Sequence, residues 1–276
     1  MRKNNGCNGA VSSTSFLRSV AVTSKLFDIS GKTIVISGSS RGLGKALAGC
    51  FGSLGAQIVI SSHEVDELRE TKQEFEALGY DVVAVPADVR REQDIQNLVG
   101  DTVAHFGKID VMICNAGTDI IKPAETYEID EWEHVLSINV RGYYLCAKAA
   151  AQRMLPQRRG SIVMTSSIAS SLGVPGLTPY AVSKGGANQL VKTMAVEWAD
   201  RNVRVNAVAP GYINNFMKGV HIDLDTPYQR RAMAHTPMGR RGELSEYFGP
   251  YVFLASDAAS FVTGEILYVD GGYHAA

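Results

Sequence analysis

From Gly31 onward, short apolar runs alternate with longer amphipathic ones, and this alternation limits the fold more than any single residue does. The runs at 33–37 (TIVIS), 57–61 (QIVIS), 81–85 (DVVAV), 111–114 (VMIC), 161–165 (SIVMT) and 203–209 carry apolar side chains on both faces of an extended chain. Between them, helical periodicity covers 65–78, 92–106, 130–154 and 181–199. Strands apolar on both faces, each followed by a helix, describe a parallel sheet covered on both sides. The expected fold is therefore α/β, a Rossmann-like doubly wound parallel sheet with helices on both faces. No break in composition follows Gly31, so residues 25–276 read as one doubly wound domain.

Residues 1–24 differ: they hold Arg2, Lys3 and Arg18, many Ser and Asn, and no acid before Asp28. They read as a disordered N-terminal extension, with an organellar transit peptide as the alternative. The net charge of −1 argues against nucleic acid as a partner, since that needs a marked basic excess. No apolar run approaches the length of a membrane span. Cys7, Cys50, Cys114 and Cys146 show no CxxC spacing, which suits reduced thiols in a cytoplasmic protein. No His or Cys pair has zinc-ligand spacing, so no metal is expected.

The first strand runs into Gly38-Ser39-Ser40-Arg41-Gly42-Leu43-Gly44 and then a helix. Glycines let the backbone turn tightly beside a pyrophosphate, and the helix N-terminus offers its unpaired N–H groups. Such a turn serves sterics alone in many proteins, but here it stands in the strand-to-helix context that dinucleotide binding requires. At the end of the second strand a carboxylate would bond the ribose 2′-hydroxyl and repel a 2′-phosphate. Ser62 occupies that place, followed by His63 and Glu64. His63 and Arg41 suit a 2′-phosphate, which favours NADP; a carboxylate from Glu64 would leave NAD as the alternative. Further on, Tyr180 and Lys184 are four apart at the start of a helical pattern and so share a face. A nearby ammonium is expected to lower the phenol pKa from about 10, although a surface pair would have the same spacing.

In these residues the chain resembles the short-chain dehydrogenase/reductase family from Leu26 to Gly272. The resemblance rests on Gly38, Gly42 and Gly44, on Asn115-Ala116-Gly117, on Asn139, and on Ser167 thirteen positions before Tyr180. It continues through Tyr180 with Lys184, Pro210-Gly211, Val262-Thr263-Gly264 and Val269-Asp270-Gly271-Gly272. It implies that Tyr180 is the general acid/base, that Lys184 bonds the nicotinamide ribose, and that Ser167 stabilises charge on the substrate oxygen. It also implies that Asn139 positions a water relaying protons to Lys184, and that Asp88 and Val89 lie near the adenine. Asp88 has an equal claim as a cap for the helix near Glu92. Asn115 is expected to support the backbone on the cofactor side, or else to serve as a turn residue. The family's usual threonine near the carboxamide is replaced by Asn215, so the backbone of Ile213 is the firmer contact.

Residues 214–240, with Phe216, Met217, His221, Tyr228 and Met233, read as a lid over the cofactor. The substrate expected is a carbonyl or secondary alcohol, and the resemblance is closest to the gluconate 5-dehydrogenase type. That suggests a sugar acid or ketose. The enzymatic alternative is a 3-oxoacyl thioester reductase docking an acyl carrier protein on Arg158, Arg159 and Arg201 near the active-site mouth. The alternative outside catalysis is a dinucleotide-binding sensor or scaffold. The resemblance further implies a homotetramer.

Overall fold

The computed structural model describes residues 23–214 and 225–276. Seven parallel strands form one sheet in the order β3-β2-β1-β4-β5-β6-β7. These are β1 (Thr33–Ser37), β2 (Gln57–Ser62), β3 (Val82–Pro86), β4 (Val111–Cys114), β5 (Gly160–Thr165), β6 (Val203–Pro210) and β7 (Ile266–Val269). Within β1, Ile34 and Ile36 belong to the core on one face of the sheet and Val35 to the core on the other, with all three fully buried. Alternate residues of a strand point to opposite faces, so a strand sandwiched between two helical layers must be apolar throughout.

One face is covered by α1 (Gly42–Ser53) and α8 (Phe248–Ala255), whose Leu47, Phe51, Tyr251 and Leu254 pack on Ile34, Ile58 and Ile113. The other is covered by α3 (Glu92–Phe106), α5 (Gly142–Gln157) and α6 (Thr178–Trp198), through residues such as Leu98, Ala150 and Val191. The outer helices α2 (Val65–Ala77) and α7 (Pro227–His235) complete the set, with α4 (Ile129–Leu136) leading into α5.

Three details depart from the sequence reading. The region 130–154 is not one α-helix: a π turn over Ser137–Arg141 separates α4 from α5, and the Gly142 N–H donates to the Ser137 carbonyl five residues back. β7 was not among the expected strands; its four residues, Ile-Leu-Tyr-Val, form an apolar run that the structure leaves only half-buried. Arg158 and Arg159 precede β5 and Arg201 precedes β6, at the N-terminal end of the sheet, whereas the glycine turn and Tyr180 follow strand C-termini. These arginines are therefore not at the active-site mouth.

Residues 1–22 of the expected N-terminal extension, Asn215, and Phe216, Met217 and His221 of the expected lid lie outside the described residues, while Tyr228 and Met233 of that lid stand on α7. Among the described residues no helix is long and apolar enough to cross a membrane. Cys50, Cys114 and Cys146 are unpaired thiols.

Candidate active site

The strand order reverses between β1 and β4, and open α/β sheets bind ligands in the crevice at such a point, beyond the strand C-termini. A cavity of about 500 Å³ lies there. Its wall includes Gly38, Ser40, Arg41, Gly42, Leu43 and Gly44 from the first turn, and Ser62 and His63 from the second. Asp88, Val89, Asn115, Ala116 and Gly117 follow from the third and fourth strands, and Ser167, Tyr180, Lys184, Pro210, Gly211 and Ile213 complete it. Asn139 is fully buried behind this wall.

The first turn is built to bring backbone close to backbone. Gly38 has φ +66°, and a Cβ there would stand 2.6 Å from the Ala116 Cα. A Cβ on Gly44 would stand 2.1 Å from the Gly38 carbonyl oxygen. Asn115 locks the arrangement, its Nδ2 donating to the Gly38 carbonyl at 2.9 Å and its Oδ1 accepting from Thr165 Oγ1 at 3.2 Å. Arg41 caps α1 in extended backbone without a side-chain hydrogen bond. The first-turn N–H groups of the helix thus have no side-chain cap, as a pyrophosphate site requires.

At the adenosine end the Ser62 hydroxyl accepts from Ser40 Oγ and from the Glu64 N–H, both at 3.1 Å. Arg41 lies 3.8 Å from Glu67, and His63 lies 3.8 Å from Glu64. Asp88 does not cap α3, whose N-cap is Arg91 with no side-chain bond. Instead it is clamped by Arg90, Nε to Oδ1 at 2.9 Å and Nη2 to Oδ2 at 2.6 Å, and this holds its carboxyl below the usual range.

At the other end α6 presents Tyr180 and Lys184 on one face. The Lys184 side chain is buried at 2% exposure, with Nζ 5.4 Å from the centre of the Tyr180 ring. That ammonium donates to the Thr165 carbonyl at 2.7 Å and the Tyr143 hydroxyl at 3.1 Å, and Tyr143 itself donates to the Thr165 carbonyl at 2.9 Å. Burial pushes Lys184 down to about 7, partly offset by the charge of Asp119. The expected lowering of the Tyr180 pKa is not found. Burial drives the phenol up, Asp119 adds to this, and a hydrogen bond with Ser167 only moderates it. The cation over the ring is itself desolvated and spends its donors elsewhere, so burial wins. The phenol is thereby kept in the acid form.

Ser167 and its neighbour Ser166 have different partners. The Ser166 hydroxyl is committed to Asn188 Oδ1 at 2.6 Å, whereas Ser167 Oγ accepts from the Ala169 N–H at 3.1 Å and is hydrogen-bonded with Tyr180. Asn139 Nδ2 donates to the Thr118 carbonyl at 2.9 Å and to Ser183 Oγ at 3.0 Å, while its Oδ1 accepts from the Thr118 N–H at 2.9 Å. Its side chain is first a brace for the segment after Gly117.

Sequence reasoning missed three residues. Tyr143 stands four positions after Asn139, a spacing that could have flagged it. Asp119 follows the Asn-Ala-Gly motif by two positions and lines the cavity, and burial pushes its carboxyl up to about 7. Arg241 also lines the cavity, stacked over the Tyr212 ring at 5.4 Å and donating to Gln229.

The doubly wound sheet, the uncapped helix behind a glycine turn, and the Ser-Tyr-Lys cluster beside it define a dinucleotide-dependent oxidoreductase. A family profile described as Enoyl-(Acyl carrier protein) reductase matches residues 38–274. The gluconate 5-dehydrogenase of Gluconobacter oxydans is 34% identical over 90% of this chain and 96% of that protein. A 3beta-hydroxysteroid dehydrogenase of Eggerthella lenta is 37% identical over 89% and 94%. Among solved structures, a gluconate 5-dehydrogenase from Burkholderia cenocepacia in complex with NADP and tartrate superposes with a TM-score of 0.86. It is 31% identical and aligns over 91% of this chain and 98% of that one. The chain belongs to the short-chain dehydrogenase/reductase family, and it is an NAD(P)-dependent oxidoreductase acting on CH–OH groups.

Proposed function

We propose that the chain interconverts a ketone and a secondary alcohol on a small polyhydroxylated acid, of the keto-gluconate kind, with NADP(H) as the preferred coenzyme. The observation that carries this reading is the wall of the cavity, where Arg241 and Asp119 bring a guanidinium and a carboxyl to the same lining as Ser167 and Tyr180. A guanidinium suits a carboxylate and a carboxyl suits hydroxyls. The relatives that act on gluconate and the neighbour holding NADP and tartrate support it.

The bound nicotinamide supplies or takes the hydride. Tyr180 gives its phenolic proton to the carbonyl oxygen in reduction and recovers it in oxidation. Ser167 donates to the same oxygen and stabilises the charge that develops there. Lys184 holds the nicotinamide ribose, and Asn139 braces the wall while a water beside it relays protons to Lys184. Gly38, Ser40, Gly42, Leu43 and Gly44 receive the pyrophosphate, and Arg41, Ser62 and His63 receive the 2′-phosphate. Asp88 and Val89 would flank the adenine, Asn115, Ala116 and Gly117 would form the floor, and Pro210, Gly211 and Ile213 would hold the carboxamide.

The test is a turnover panel with NADPH over a keto-gluconate, a ketose, a 3-ketosteroid and an acetoacetyl thioester. The highest kcat/KM is expected on the keto-gluconate; a steroid or thioester preference would refute the reading. The unpaired Cys114 and Cys146, both buried, support a cytoplasmic location. A homotetramer is proposed on the outward apolar side chains of α4 and α6, namely Ile129, Val182 and Val196.

A further inference from the structure

Asp119 is only 9% exposed and stands on the chamber wall with Ser167 and Tyr180, yet the proton transfer described above does not use it. Its position is tightly set. Asn139 holds the preceding peptide from both sides, at 2.9 Å to the Thr118 N–H and 2.9 Å to the Thr118 carbonyl. Asp119 Oδ1 accepts from the Ile120 N–H at 2.8 Å. No hydrogen bond or ion pair reaches Oδ2 from the described residues, because Lys184 turns its donors to Thr165 and Tyr143. Among the described residues no buried side-chain oxygen lacks a partner, so Oδ2 is accessible, on a residue that lines the cavity. The carboxyl is also close enough for its charge to act on both Tyr180 and Lys184.

A nearly buried acceptor facing a reaction chamber is satisfied by a donor on the substrate. We propose that Asp119 is a specificity residue that accepts a hydrogen bond from a hydroxyl on the carbon next to the reacting one. The preferred substrates are then α-hydroxy ketones, and vicinal diols in the reverse direction. A ketone lacking that hydroxyl leaves Oδ2 desolvated without a partner, and a 2-oxo acid sets two carboxylates against each other. An anionic end of the substrate is directed instead towards Arg241. This deepens the polyhydroxylated reading of the same site and rests on it for the orientation of the anionic end.

The experiment compares 3-hydroxy-2-butanone with 2-butanone, and both with pyruvate and a keto-gluconate, in the wild-type enzyme, Asp119→Ala and Asp119→Asn. In the wild type the hydroxy ketone should exceed its deoxy counterpart by about 10–100-fold in kcat/KM, with pyruvate lowest. Asp119→Ala should bring that ratio to within about threefold, chiefly through KM. Asp119→Asn, which keeps an oxygen acceptor, should retain part of it. NADPH affinity, read by fluorescence, reports that each variant is folded, and Asp119→Asn decides the matter if the alanine variant is not. A general structural loss would lower both ketones alike and leave the ratio unmoved. A ratio in Asp119→Ala equal to that of the wild type, or a wild type indifferent to the hydroxyl, overturns the inference. Failure on the keto-gluconate with discrimination intact on the short ketones sinks the sugar-acid reading alone.

Discussion

Replacing Arg41 by alanine separates the two coenzymes, and its size follows from the site. The guanidinium lies at the adenosine end of the cavity and its side chain is 43% exposed. A charge-assisted hydrogen bond contributes about 1.5–3 kcal/mol, and this degree of exposure places a phosphate contact in the lower half, about 1.5–2 kcal/mol. That corresponds to roughly 10–30-fold in affinity. Part is offset in the wild type, because Arg41 sits 3.8 Å from Glu67 and must share itself between that carboxylate and the 2′-phosphate. Exposed pairs of this kind are worth under about 1 kcal/mol, so a net rise near tenfold in KM for NADPH is expected. NADH has no 2′-phosphate, and its KM should change less than about twofold. Because Arg41 makes no side-chain cap to α1, the alanine variant keeps the helix start intact. Steady-state kinetics with both coenzymes, repeated at low and high salt, provide the measurement, and the NADPH effect should shrink with salt. Equal weakening for NADPH and NADH would show that Arg41 supports the loop rather than reading the phosphate, and a wild-type preference for NADH would refute the coenzyme assignment outright.

Tyr180→Phe should abolish turnover while NADPH binding, followed by fluorescence, stays within about threefold; near-normal turnover would overturn the proton-transfer role. Since burial and Asp119 both raise the Tyr180 pKa, reduction should run fully at neutral pH while oxidation keeps rising into the alkaline range, and an oxidation rate flat from pH 7 upward would contradict this. Gly38→Ala places a Cβ 2.6 Å from the Ala116 Cα at φ +66°, so NADPH affinity should fall at least about tenfold and the Tm by several degrees; unchanged values would deny the close approach. Lys184, depressed to about 7 when folded, contributes stability present above its unfolded pKa and lost as pH falls through 7. Lys184→Met should therefore be inactive yet gain stability relative to the wild type at pH 6, an advantage that shrinks by pH 9 in urea melts. Light scattering should give four times the chain mass; a monomer would refute the tetramer.

Six of the seven strands were legible because each is apolar on both faces, a pattern only a doubly covered sheet demands. β7 was passed over although Ile266–Val269 is an apolar run as long as β4, and the structure leaves it only half-buried at the sheet edge. The π turn at Ser137–Arg141 carries no proline or other breaker, so periodicity passed straight through it. Ser167, Tyr180 and Lys184 could be placed from spacing, and they do converge on one cavity. The state of Tyr180 could not be placed this way, because desolvation depends on what surrounds a side chain and not on what lies four residues away. Asp119 and Tyr143 lie within four positions of residues the motifs did mark, yet nothing in those motifs says that their side chains turn to the site, and Arg241 reaches it from a stretch with no motif at all. The three arginines assigned to the mouth were misplaced for the complementary reason: composition does not say at which end of a strand a charge will fall.

The π turn between α4 and α5 is in effect a one-residue phase shift in an otherwise continuous rod. An α-helix advances about 100° and 1.5 Å per residue. Were the same five residues of Ser137–Arg141 wound as regular α-helix instead, the segment would turn about one residue's rotation further. Everything beyond would then arrive roughly a quarter of a turn out of phase. Tyr143 would swing away from Lys184 and Thr165, and the buried ammonium would lose one of its two supports. The chain thus keeps a less regular hydrogen-bond ladder here, and in return a tyrosine on one helix meets a lysine on another at the correct azimuth.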